Sequence, residues 1–314
     1  MSASHICIKE VLFRVYPRNT STSGARQRAL EFEEDLFEHA GKRLDWRTVT
    51  EGSGYSYTEL GSPVLDDLKR NEMLENVGGI VLAYWTPEYN PEHSAFGTYF
   101  LKTYVPDGTI TDVCDRGSIG AFAALKLAHA QLAMERATKP ADRVRDIVVV
   151  GFEQTSIARD ARDHLPVPRQ SSAGAIVVSA RATDRAGKLL DAGIAPESDL
   201  HEGRFRLAGF VNALCERLEI DPSGLTVLMP FDSYIGKHYR YRHHDRSDAQ
   251  RTLFAVQWVR PGVTSMRLFE QLNAGVRGDL TRGQAHTLLI DEDVETLALG
   301  WALFEGPRAW RRED

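Results

Sequence analysis

The sequence predicts a layered α/β fold built as two similar halves. Three observations carry that expectation. Apolar strand-like runs alternate with helical ones along the chain, the pattern of sheets covered by helices. A buried strand running into an acidic turn occurs twice, at DIVVVGFEQTS (146–156) and at TLLIDEDVET (287–296), with a helix before each. Length also suffices: 314 residues, 42% of them hydrophobic, can enclose a sizeable core, and global disorder is not expected.

The elements follow in order. Residues 6–15 are rich in β-branched side chains and predict a strand. Residues 24–40 carry Ala29, Phe32, Leu36, Phe37 and Ala40 at helical spacing and predict an amphipathic helix. Residues 46–57, with Gly52 and Gly54, predict a loop, and 63–71 a helix with Pro63 in its first turn. GIVLAYW (79–85) is a buried strand, and 110–114 a short strand running into Gly117-Ser118 and a long Ala- and Leu-rich helix over 119–136. Strands are expected at 146–152 and 173–180. A polar stretch, 183–203, is the expected boundary between halves 1–182 and 183–314. The second half predicts a helix at 207–218, strands at 225–229 and 251–259, a helix at 266–274, and strands at 287–290 and 296–304.

Composition excludes several functions. A formal net charge of −6 argues against a general nucleic-acid binder. Cys7, Cys114 and Cys215 lie far apart with no CxxC pair, which supports neither a disulfide framework nor a zinc ribbon. No bound metal or cofactor is expected. Residues 1–9 lack a charged start followed by an apolar core, and no apolar run approaches membrane-spanning length. The expectation is a cytoplasmic protein with no nucleic-acid or membrane partner.

The order of several motifs resembles the ketoacyl synthase III branch of the thiolase superfamily. IVLAYWTPEYNP (80–91) is similar to that family's apolar strand and T-P turn. ITDVCDRGSIGAFAALKLAHA (110–130) is similar to the strand that delivers a nucleophile to the start of a buried helix. QSSAGAIVVS (170–179), LFEQLNAGVRGDLTRGQAHTLLI (268–290) and LALGWALFE (297–305) are similar to later family strands and the last helix. The resemblance implies a five-layer α-β-α-β-α sandwich. It also implies a dimer formed through the strand beside the nucleophile, and acyl thioesters of coenzyme A or of an acyl carrier protein's phosphopantetheine arm as substrates.

The family's chemistry does not carry over. Ser118 stands at the nucleophile position where the family has Cys. Phe231 stands where a His is expected and Val263 where an Asn is expected, and DEDVET (291–296) replaces the glycine-rich loop that supplies an oxyanion donor. Decarboxylative condensation needs a thiolate to take the acyl group and neutral donors to stabilise the oxyanion and enolate. Serine at a helix start still needs a base, and Phe231 and Val263 can neither give nor take a proton. Carboxylates beside the elbow would oppose a developing oxyanion.

Each candidate has a plainer explanation beside the chemical one. Ser118 is a possible nucleophile, but its missing partners favour a small helix cap. Cys114 is a nucleophile only in another register, and otherwise a buried structural thiol. His238 is a speculative replacement base within KHYRYRHHDRSD (237–248), a segment read as a polar surface or mouth-lining loop without zinc spacing. Arg240 and Arg242 could meet the phosphates of an acyl carrier, and otherwise form a solvated face, while Phe231 and Val263 would line the acyl site. Asp112 and Asp115 flank the strand before Ser118 and are expected at an interface or in the pocket, not in catalysis. The expected function is a catalytically degenerate partner subunit of a condensing-enzyme dimer, homo- or heterodimeric, in polyketide-type secondary metabolism. An acyltransferase or thioester hydrolase using Ser118 is the first alternative, and a non-catalytic acyl-binding protein the second.

Overall fold

A computed structural model describes residues 6–17, 31, 34–35, 37–39, 41–43, 49–50, 54–85, 88, 93–114, 117–155, 159–160, 170–181, 187–195, 206–231, 233–244, 254–259, 266–276, 285–293 and 298–306. The strands are β1 (Ile6–Tyr16), β2 (Val49–Thr50), β3 (Val77–Tyr84), β4 (Thr109–Val113), β5 (Asp146–Glu153), β6 (Arg159–Asp160), β7 (Ser171–Ser179), β8 (Gly187–Ala195), β9 (Leu225–Pro230), β10 (Ala255–Val259), β11 (His286–Glu292) and β12 (Leu299–Glu305). The helices are α1 (Tyr57–Arg70), α2 (Phe96–Tyr104), α3 (Gly120–Thr138), α4 (Leu207–Leu218), α5 (Tyr234–His244) and α6 (Arg267–Val276).

Among the described residues, one large sheet runs β10-β9-β11-β12-β8-β1-β7-β5-β3-β4, while β2 and β6 pair separately. Its halves repeat. Outward from the β1–β8 joint, each half places its own first, fifth, fourth, second and third strands. The directions repeat as well: the first two contacts are antiparallel (β1–β7 and β7–β5, β8–β12 and β12–β11), and the next two parallel (β5–β3 and β3–β4, β11–β9 and β9–β10). The helices correspond one for one, α1 with α4, α2 with α5 and α3 with α6.

Three apolar clusters make five layers. Leu60, Leu65 and Phe100 of α1 and α2 pack on Leu82, Val150 and Val177 of the first sheet half. Val211 and Leu214 of α4 pack with Ile235 of α5 on Val227 and Ile290 of the second. Between the halves, α3 and α6 contribute Phe122, Leu125, Leu268 and Phe269. These meet Val149, Ile176 and Val178 on one side, and Leu228, Leu289 and Ala302 on the other. Each strand thus sends alternate residues into two different cores.

Central-helix packing depends on paired glycines. Phe269, third residue of α6, lies on Gly174, where a Cβ would come 2.7 Å from its ring, and on the register neighbour Gly151. Phe122, third residue of α3, lies on Gly300, where a Cβ would come 2.9 Å from its ring. Each central helix therefore presses a phenylalanine onto the sheet of the opposite half.

Several expectations need correction. The helix expected from residue 63 starts at Tyr57, so Pro63 sits inside α1. The true start is a capping box: Ser56 Oγ accepts from Glu59 N at 3.2 Å, and Ser56 N donates to Glu59 Oε2 at 2.8 Å. The polar stretch 183–203 contains β8, a half-buried strand at the centre of the sheet. Residues 237–244 of the segment read as a loop, its histidines included, belong to α5, and 245–248 lie outside the described residues. Helix α2 has no counterpart among the elements expected from sequence. Of the helix expected over 24–40, residues 31, 34–35 and 37–39 are helical, and the rest lies outside the described residues. No described helix is long and apolar enough to cross a membrane.

Candidate functional site

β3, β4 and β5 run parallel, so their C-terminal ends share one edge, and β4 leads there to the turn before α3. Gly117–Ile119 forms a single 3-10 turn that continues into α3 from Gly120. Gly117 adopts φ +48°, a conformation that favours glycine. Ser118 follows, buried at 8% exposure, at the positive end of a 19-residue helix. The elbow expected from sequence is therefore present.

What faces it comes from β11 of the other half. Ser118 Oγ donates to the backbone carbonyl oxygen of Glu292 at 2.6 Å. A carbonyl of this kind accepts a hydrogen bond but is no base, so the hydroxyl is held without being activated. Asp293 lies over Gly117 so closely that a Cβ on Gly117 would overlap its Oδ2. Asp291, Glu292 and Asp293 are each 3% exposed. Alternation along β11 puts Asp291 on the face of Leu289, toward the central helices, and Glu292 on the opposite face, while Asp293, just past the strand, lies against Gly117. Asp291 Oδ1 accepts from Glu292 N at 2.9 Å. The described part of the segment expected to replace the oxyanion loop, Asp291–Asp293, is thus a buried run of carboxylates lying against the elbow.

Glu292 turns its side chain to α5. Its carboxylate accepts the amide hydrogens of Tyr234 and of Ile235, the latter at 3.0 Å. Ser233 Oγ accepts from Gly236 N at 2.9 Å. Together Ser233 and Glu292 satisfy the first three amide donors of α5, and the carboxylate complements the helix dipole. The sequence places this carboxylate near Ser118 but hides its second role, because a partner 57 or 58 residues away leaves no local pattern.

His238 lies on α5, stacked on Tyr234 with ring centroids 6.0 Å apart. Its Nε2 is buried without a hydrogen-bond partner, and among the described residues no hydrogen bond joins it to Ser118. Phe231 follows the end of β9 and is 47% exposed. The Arg240 guanidinium lies 3.5 Å from the centroid of the Phe231 ring, which meets Trp258 edge-on. Arg240 also donates to Phe231 O at 2.8 Å, so its charge is engaged in a local stack. Arg242 belongs to α5, with its side chain outside the described residues. Val263, Asp115 and Glu295 also lie outside them.

Cys114 corrects an expectation. It is exposed, whereas Cys7 and Cys215 are buried, and none of the three forms a disulfide. The reason is that β4 is the sheet's edge strand, with Thr109 and Asp112 exposed. Partial desolvation raises the pKa of Asp112 there. No group of three or more potential metal ligands occurs among the described residues.

No family model and no curated protein matches the chain. Solved structures do. AbyA1, a tetronic acid condensing enzyme, matches with a TM-score of 0.63 and 16% identity over 96% of this chain and 100% of that one. ChlB3, described as an acyltransferase, matches at 0.62 and 17% over 98% and 99%. The 3-oxoacyl-(acyl carrier protein) synthase III FabH of Pseudomonas aeruginosa PAO1 matches at 0.58 and 12% over 96% and 98%. The protein has the thiolase-type fold of these condensing and acyl-transfer enzymes.

Proposed function

We propose that this thiolase-type chain is a ketoacyl synthase III-like protein that does not condense. In this reading it serves as the catalytically degenerate partner of an active condensing enzyme, in acyl-thioester, polyketide-type biosynthesis in the cytoplasm. One observation carries the reading: the Ser118 hydroxyl donates to Glu292 O at 2.6 Å, with the Asp293 carboxylate against Gly117. The nucleophile's proton is given to a group that cannot remove it, and a carboxylate stands where negative charge would have to develop. Removal of one oxyanion donor costs roughly 10²–10³ in rate, and here an anion opposes the charge as well. Edge strand β4, beside the elbow, is the surface for an active homologue or a second copy. The acyl group would arrive on coenzyme A or an acyl carrier protein.

The test is incubation of the full chain with acyl-coenzyme A and acyl-carrier thioesters, read by intact mass. The expected result is no adduct, together with co-purification of an active ketosynthase-like homologue. An adduct abolished by Ser118→Ala would overturn the reading in favour of acyl transfer or thioester hydrolysis through Ser118. A chain that remains a lone monomer without adduct would overturn the partner role and leave acyl binding.

A further inference from the structure

We infer that Glu292 is a latch that makes release of the Ser118 elbow and loosening of helix α5 a single event. One residue holds both. Its backbone oxygen receives the Ser118 hydroxyl, and its carboxylate receives the amides of Tyr234 and Ile235. The groups it holds lie in different layers. Ser118 stands in the central layer at the head of α3, and Tyr234 and Ile235 start the outer α5.

One residue joins the two attachments. Glu292 is 3% exposed, so water does not readily replace the carboxylate at the α5 amides. Loss of α5 from its place would take two donors from a buried carboxylate, and the end of β11 would shift as that charge is re-solvated. That shift moves Glu292 O away from Ser118 Oγ and Asp293 away from Gly117, since all belong to one three-residue segment. Helix α5 is the element open to an external signal: Tyr234 is 45% exposed, and Phe231 just before it 47%. A contact that displaces the start of α5 would therefore expose Ser118. Coupling of this kind is independent of whether the chain serves as a partner subunit.

The experiment uses the full chain with two reporters. Cys114→Ser removes the exposed thiol, and Ser118→Cys places a thiol that keeps a donor hydrogen toward Glu292 O. Alkylation by iodoacetamide is followed site by site by peptide mass, and hydrogen exchange is followed across 234–237. Glu292→Ala breaks the latch itself. Ser233→Ala weakens α5 from its far side, by removing the acceptor of Gly236 N, and leaves Glu292 in place.

Both variants should speed exchange at 234–237; Ser233→Ala, which keeps the Glu292 carboxylate, should raise alkylation at position 118 about fivefold, the factor that accompanies loss of a helix cap of ordinary strength, and Glu292→Ala, which has no carboxylate to re-solvate and keeps the backbone acceptor, should leave it unchanged. Cys7 and Cys215 should stay protected. Faster exchange in α5 of Ser233→Ala with unchanged alkylation at position 118 would overturn the latch. Unchanged exchange in both variants would overturn it equally, because Glu292 would then not be holding α5. If Glu292→Ala opens the whole chain, Cys7 and Cys215 become labelled too, and Ser233→Ala then decides between the latch and its absence by the same two readouts.

Discussion

The two halves of the sheet are alike where they pack and unlike where they end. In both, the third residue of a central helix is a phenylalanine lying on a glycine of the opposite half, Phe269 on Gly174 and Phe122 on Gly300. One strand outward the likeness stops. Gly174 pairs with Gly151 across β5, but Gly300 pairs with Asp291 across β11. Two residues further on, Glu153 accepts a long hydrogen bond from its register partner Ser172 at 3.4 Å, whereas Asp293 leans onto Gly117. What holds the fold is thus separate from what stands at its active edge. Ridge-and-hollow packing in the central layer constrains both halves alike, and strand ends beyond it can carry any side chain the local cavity satisfies.

Removing the phenylalanines tests the likeness with the largest effect. Phe122 is 2% exposed and Phe269 is fully buried. Truncation of either to Ala should cost about 3–5 kcal/mol, because glycines on the facing strands offer no side chain to collapse into the space. Urea unfolding of Phe122→Ala and Phe269→Ala should give similar losses. If one were near zero and the other large, the two central helices would not be equivalent, and the repeat would be topological only.

The difference between halves is tested by Gly117→Ala. The new methyl group would meet both a left-handed backbone and the Asp293 carboxylate, at an expected cost of about 1–3 kcal/mol. Asp293→Ala in the same chain should return the steric part of that cost and leave the backbone part. A double-mutant cycle measured by thermal unfolding should therefore show a coupling of about 1 kcal/mol. Strict additivity would mean that Asp293 does not rest on the elbow. Glu153→Ala, at the corresponding place in the first half, should show no coupling to Gly117.

The core is readable in the sequence and the latch is not, for physical reasons. GIVLAYW and DIVVVGF are buried on both faces, so their continuous apolar runs announce β3 and β5. Helix α4 shows its amphipathic spacing, and its expected and observed bounds coincide. Strand β8 reads as a linker because it is only half-buried, and its polar residues interrupt any alternation. Helices α2 and α5 are rich in aromatic, glycine or histidine residues of modest helix propensity and are stabilised by tertiary contacts. The start of α5 rests on Glu292, far away in sequence. Ser118 and the carboxylates of 291–293 are legible through their positions in the motif order. That one of those carboxylates also caps a helix in another layer is not, because only the folded chain brings the segments together.

The first strands of the halves supply the smallest test. Tyr16, at the end of β1, donates its hydroxyl to Leu60 O at 2.6 Å and so ties the sheet to α1. Its counterpart at the end of β8 is Ala195, whose methyl group can make no such tether. Burial pushes the Tyr16 phenol up to about 12, with the nearby Arg14 charge opposing the rise and Tyr55 adding to it. An unfolded tyrosine ionises at about pH 10. The raised folded value therefore gives stability that is in place below about pH 10 and is lost as pH climbs toward about 12. Tyr16→Phe should cost about 1 kcal/mol at neutral pH, the net worth of one hydrogen bond, and should flatten that alkaline decline. Hydrogen exchange above about pH 10 should then show β1 and α1 opening before β8 and α4 in the parent chain, and the two halves opening together in the variant. Equal opening of both halves in the parent would show that the phenol does not set the order, and that the asymmetry between the halves is confined to the elbow and its carboxylates.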